Sequence, residues 1–131
     1  SKTGAKFDIQ PVTSPQEIMA ARELVDQVYV AEKIEDYIVD LVMATRNPEA
    51  YGLKLKDLIQ FGGSPRATIN LALAAKANAF LAGRGYVVPQ DVKDLALDVL
   101  RHRVVITYEA EAEDRTSESI VTEILNHIPV P

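Results

Sequence analysis

The sequence contains no cysteine, which excludes disulfide and thiolate chemistry. That fits a reducing compartment, expected to be the cytoplasm. No apolar run approaches the ~20 residues that a transmembrane helix needs, and no signal peptide is apparent. The two histidines, His102 and His127, lack ligand spacing, so no metal site is expected. Positive charge is scarce. There are 14 basic against 19 acidic residues, a net charge of −5, and this opposes nucleic acid as the main partner. A phosphate-loop motif is missing too: Gly62-Gly63-Ser64 lacks both the spacing and the lysine. Ser64 has no evident His or Asp partners for a triad. Most carboxylates read as solvated helix faces. Nothing assembles a complete active site.

A chain of 131 residues corresponds to one domain. It is long enough to bury roughly two-thirds of its unfolded surface. Its centre is the stretch from Gly62 to Arg84. Two glycines suggest a loop with unusual backbone angles. Ser64 suits an N-cap, and Pro65 suits the first helical position. Alanine, the strongest helix former, occupies positions 67, 72, 74, 75, 77, 79 and 82. The pattern predicts a central helix packed on more than one side. From Phe61 to Val88 there are three basic residues, Arg66, Lys76 and Arg84, and no acidic one.

Arg66 falls in the first turn, where the helix dipole disfavours a cation. An open helix N-terminus, a glycine loop and an arginine together suit an anion. The same residue could also reach solvent or a surface carboxylate.

The remaining elements follow from period and punctuation. Residues 1–13 show no helical period, and Phe7, Ile9 and Val12 alternate weakly, as in an extended arm. Ser14 and Glu17 form a capping box before a helix from Pro15 to about Gln27, with Ile18, Ala21, Val25 and Val28 in phase. A second helix covers about Ala31 to Thr45, with Ile34, Tyr37, Ile38, Leu41 and Val42 as its apolar stripe. Its other face carries Glu32, Glu35, Asp36 and Asp40. Residues 49–54 read as loop and 55–61 as a short helical turn. Gly83 and Gly85 stop the central helix. Val28-Tyr29-Val30 and Tyr86-Val87-Val88 are short β-prone pieces. Pro89 opens a helix carrying Val92, Leu95, Ala96, Val99 and Leu100, which ends at Arg101-His102-Arg103. Val104 to Tyr108 reads as extended, and Glu109 to Arg115 as a mobile acidic loop. Ser117 is expected to cap a last helix with Ile120, Val121, Ile124, Leu125 and Ile128 inward. The fold class is mainly α: a compact bundle of five to six helices with minor β pieces.

Several of these motifs occur together in one known family. They are Gly62-Gly63-Ser64-Pro65-Arg66-Ala67, Ala75-Lys76-Ala77, Gly83-Arg84-Gly85-Tyr86-Val87, Val88-Pro89-Gln90-Asp91-Val92 and Val99-Leu100-Arg101-His102-Arg103. With Tyr37-Ile38-Val39 and Ala44-Thr45-Arg46 upstream, the chain resembles the C-terminal lid of the MoxR-type AAA+ ATPases over roughly residues 11–131. Gly63, where the family usually has alanine, and Val88, where it often has a capping residue, are departures.

The resemblance implies that Arg66 is a sensor 2 arginine. It would contact ATP on a preceding α/β domain, with Gly63, Ser64 and Pro65 shaping the site. It implies ATP and magnesium in the full-length protein but none bound by this piece alone. Residues 14–131 would be the lid, and residues 1–13 a tag or linker leaving the catalytic domain. Expected partners are that domain, neighbouring subunits of a ring and a client protein, in a chaperone-like remodelling machine. The roles of Arg84, Arg101 and Arg103 stay structural or interfacial. A different class of reading is a stand-alone helical module that binds a protein through its alanine-rich face or its acidic helix.

Overall fold

The computed structural model describes residue 4 and residues 6–131. Residues 1–3 and 5 of the expected linker lie outside that range, and residues 6–13 are exposed without helix or strand. Six helices follow among the described residues: α1 (Pro15–Asp26), α2 (Glu32–Arg46), α3 (Pro65–Leu81), α4 (Pro89–Leu100), α5 (Tyr108–Ala112) and α6 (Ser117–His127). Two 3-10 turns, Pro48–Tyr51 and Lys56–Leu58, lie between α2 and α3. Strand β1 (Ile59–Phe61) pairs antiparallel with β2 (Val105–Ile106). This is the mainly helical class that the periodicity predicts.

Helix α3 forms the axis. Ala67, Leu71, Ala75 and Ala79 are fully buried, one turn apart on a single face. Three of the four are alanine, so neighbouring backbones can approach closely. Helices α1, α2 and α4 all pack on α3. Ala67, Ala75 and Ala79 are therefore taken up by the core, while Ala72, Ala74 and Ala77 stay partly exposed. The predicted stripe of α2 is wholly buried, with Ala44 and Thr45 added to it. Helix α4 contributes Val92, Ala96 and Leu100, and α6 contributes Ile120, Val121 and Ile124.

The structure corrects several expectations. No residue of α1 is buried, and Ile18 is 50% exposed. Its main neighbour is α3 alone, so the apolar stripe is only half covered. Ser14 Oγ accepts from the Glu17 amide at 3.2 Å. The Glu17 carboxylate, however, takes the Thr13 hydroxyl, so half of the expected box is made.

The 109–115 segment is not simply a loop. Thr107 Oγ1 accepts from the Ala110 amide at 3.1 Å, and Ala110 is buried, which closes α5. The cap of α6 is Thr116 rather than Ser117. Thr116 and Ser119 exchange hydroxyl–amide bonds of 3.0 Å each way, while Ser117 Oγ donates to the Arg101 carbonyl at 2.6 Å. Residues 55–61 split into a 3-10 turn and β1 because Ile59 and Phe61 find partners in β2.

Two connectors also meet. The Tyr29 amide donates to the Gly85 carbonyl, and the Val87 amide donates to the Tyr29 carbonyl, each at 2.9 Å. This joins the two β-prone pieces in a single parallel bridge between Tyr29 and Tyr86.

Candidate functional site

The loop from Gly62 to Ser64 crosses the C-terminal end of α2 before α3 begins at Pro65. Neither glycine takes a positive φ; the positive-φ glycines among the described residues are Gly52 and Gly83. The reason for Gly62 is close approach. A β-carbon there would lie 2.3 Å from the Thr45 carbonyl oxygen and 2.8 Å from the Arg46 nitrogen. Gly63 is less confined, since its added β-carbon would sit 3.3 Å from Ala67 Cβ. The Gly63 amide donates to Thr45 Oγ1 at 2.8 Å, and Arg46 Nη1 donates to the Gly63 carbonyl at 3.1 Å.

Ser64 occupies the N-cap of α3 with extended backbone, but its hydroxyl makes no capping bond. The side-chain half of the expected cap is therefore absent. The Ser64 carbonyl does close the first turn, accepting from Ala67 at 2.8 Å. Pro65 stands at the first helical position, as its fixed φ and missing N–H favour. The first turn holds no acidic residue. The Ser64 and Arg66 backbone amides have no protein acceptor among the described residues. The positive end of the dipole is thus left open on the surface.

Arg66 is exposed. Its guanidinium has no carboxylate within 4 Å and no hydrogen-bond acceptor among the described residues. The surface carboxylate weighed in the sequence reading is therefore not there. Several other arginines are occupied. Beyond the far end of α3, Arg84 grips the buried Asp91, and Arg101 pairs with Asp98 and Glu118, so both have structural partners. Arg103 is exposed and has no side-chain ion pair among the described residues. Arg46 holds the Gly63 loop.

The site is one-sided. A concavity of about 290 Å³ beside the loop is lined by Thr45, Arg46, Gln60 and Gly62 among others, and Arg66 does not line it. Such a surface can offer a cation and free amides to an anion, but it cannot enclose one without a second body. No group of three or more His, Cys, Asp or Glu able to hold a metal gathers among the described residues. No helix there is long and apolar enough to cross a membrane.

Sequence reasoning located Arg66 and its loop but not the polar contacts that carry the loop. Thr45 is buried within an otherwise apolar stripe. A lone hydroxyl at a core position was the available signal.

The AAA lid domain model matches residues 55–124. Over 121 residues the chain is 37% identical to "Chaperone MoxR1" of Mycobacterium tuberculosis, covering 92% of this chain and 32% of that protein. It is 36% identical over 112 residues to "Protein MoxR" of Paracoccus denitrificans, covering 79% of this chain and 32% of the relative. A crystal structure from Cytophaga hutchinsonii, described as a candidate ATPase, matches with a TM-score of 0.91 and 38% identity. The match covers 98% of this chain and 39% of that one. The chain thus spans about a third of the length of these relatives. Matched by the lid model over more than half its residues, the chain belongs to the AAA lid domain family, as a lid of the MoxR-type AAA+ ATPases.

Proposed function

We propose that this lid closes over ATP bound to a separate α/β core, and that Arg66 then contacts the phosphates as the sensor 2 arginine. One observation carries the reading: an exposed guanidinium and two backbone amides at the N-terminus of α3, none with a protein partner among the described residues. A planar guanidinium pairs with phosphate oxygens in two-pronged fashion and stays charged. Phosphoryl transfer is catalysed mainly by positioning and charge stabilisation. Gly63, Ser64 and Pro65 shape the approach. The magnesium that accompanies ATP would be held by the core and the nucleotide, since the described residues bring no ligand cluster. On this reading residues 14–131 are the lid and residues 1–13 lead to it from the core. The whole protein then works as a ring of subunits that remodels a client protein.

The test pairs two measurements. In the full-length protein, Arg66→Ala should lower steady-state ATP turnover about ten- to a hundredfold, the rate equivalent of losing a charge-assisted bond made in the transition state. Arg66→Lys should recover only part of it, because an ammonium lacks the fork. The melting temperature of this chain should hardly change, since Arg66 opposes the dipole. Unchanged turnover, or a melting temperature lowered by many degrees, overturns the reading.

A second reading, a protein-interaction module without nucleotide function, is favoured by one feature. A groove of about 390 Å³ runs between α2 and α3, where Val39, Ile69 and Leu73 are exposed. Turnover insensitive to Arg66→Ala would support it.

A further inference from the structure

We propose that Thr45 is the positioning residue for Arg66, fixing the direction from which its guanidinium leaves the domain. This rests on the reading of Arg66 as a phosphate contact. Thr45 lies in the last turn of α2 and is fully buried. Its hydroxyl is used in both directions. Oγ1 donates to the Val42 carbonyl at 2.6 Å and accepts from the Gly63 amide at 2.8 Å. The first bond fixes the rotor, so the lone pair is aimed before Gly63 arrives.

The next residue, Arg46, donates to the Gly63 carbonyl. Gly62 passes so close to the Thr45 carbonyl that no side chain fits there. Two consecutive residues of α2 therefore hold Gly63 by its amide and its carbonyl. Downstream little freedom remains. Pro65 locks its own φ, and Ala67, fully buried, seats the first turn of α3. Arg66 stands between these two fixed points. A buried hydroxyl 21 positions earlier in the sequence thus sets where the charge emerges.

A purely structural role would predict something different. Threonine in a helix end can be replaced by valine with little change of shape. What valine lacks is the acceptor, so the buried Gly63 amide would be left unpaired. The loop would then shift toward another acceptor and carry Arg66 with it. Small displacements of a catalytic group cost roughly ten- to a hundredfold in rate.

The experiment is a double-mutant cycle in the full-length protein, reading ATP turnover well below the melting transition. Thr45→Val should lower turnover about tenfold or more, and Thr45→Ser should recover most of it. In the Arg66→Ala background, Thr45→Val should add almost nothing, because Thr45 acts through Arg66. Arg46→Met provides a second route should Thr45→Val fold poorly. It removes the bond to the Gly63 carbonyl from an exposed position, and it too should lower turnover only when Arg66 is present.

Losses that multiply with Arg66→Ala overturn the proposal, since Thr45 then acts independently. If Arg66→Ala lowers turnover while Thr45→Val and Arg46→Met do not, positioning by α2 is wrong and the phosphate reading survives. If Arg66→Ala itself has no effect, both fall together.

Discussion

The guanidinium of Arg84 meets the carboxylate of Asp91 through two parallel contacts, Nη1 to Oδ2 and Nη2 to Oδ1, each 2.6 Å. Asp91 is 1% exposed and also accepts from the Val88 amide at 2.8 Å and from Asn78 Nδ2 at 2.9 Å. Val88, at the N-cap of α4, has no side-chain acceptor to offer. Asp91 supplies the return half of that cap and spans the α3–α4 connector at the same time.

The first prediction concerns acid. Hydrogen bonds from Arg84, more than any other cause, hold the Asp91 carboxyl below its ordinary value; burial opposes them, and the Val88 and Asn78 bonds assist. The folded chain therefore binds this proton less readily than the unfolded chain does. The stabilisation is complete above the unfolded value of about 4, and it is lost as pH falls through the lower, folded value. Wild type should lose melting temperature across that window. Asp91→Asn should start lower at neutral pH and lose less through the same range. Parallel curves for the two proteins would contradict the role assigned to Asp91.

The glycine pair should respond unequally to alanine. Gly62→Ala places a methyl 2.3 Å from a backbone oxygen, which forces α2 and the loop apart. Overpacking of this kind costs about 1–3 kcal/mol. Gly63→Ala meets Ala67 Cβ at 3.3 Å and needs no positive φ. Its effect should be small, because reduced freedom in the unfolded chain offsets the tight contact. Urea unfolding of both variants is the check, and equal losses would show that the close approach is not what selects Gly62.

Tyr37 provides a test of the core. It is 3% exposed, and its hydroxyl has no hydrogen-bond partner among the described residues. Burial pushes its pKa up. Removing an unpaired buried hydroxyl relieves its desolvation cost, so Tyr37→Phe should leave stability unchanged or raise it by about 1 kcal/mol. A loss comparable to that of a core truncation would mean that the hydroxyl is bonded in solution.

Legibility in the sequence followed the range of the interactions. The stripes of α2 and α4 were readable because each helix repeats its apolar residues at its own period; α2 buries all of them, and α4 buries Val92, Ala96 and Leu100 and packs Leu95 and Val99 against the core. Helix α5 was not, because five acid-rich residues carry no period. They are held by the Thr107 cap and by Ala110 entering the core. The start of α6 slipped by one residue because Thr116 and Ser117 are both good caps. The reciprocal bonds between Thr116 and Ser119 and the tertiary contact of Ser117 with Arg101 decide between them. Arg66 could be singled out because proline and glycine punctuate its loop. The hydroxyl of Thr45 stood out only as a polar group in an apolar stripe; its task could not be assigned, since its partner is a backbone amide 18 residues away, and an amide leaves no mark in the letters.

Helix α3 spans about 25 Å at 1.5 Å per residue and is fastened at both ends. Gly63 ties its start to α2, and Asp91 ties its finish to α4. In the language of statics it is a strut pinned at two joints, and the three helices form a braced frame. Such a frame is expected to turn as a whole rather than bend. A force applied at Arg66 would then pass along the strut to the far joint, where Tyr29 and Tyr86 join the connectors. The loosest member is α1, which has no buried residue, so the frame is expected to pivot there.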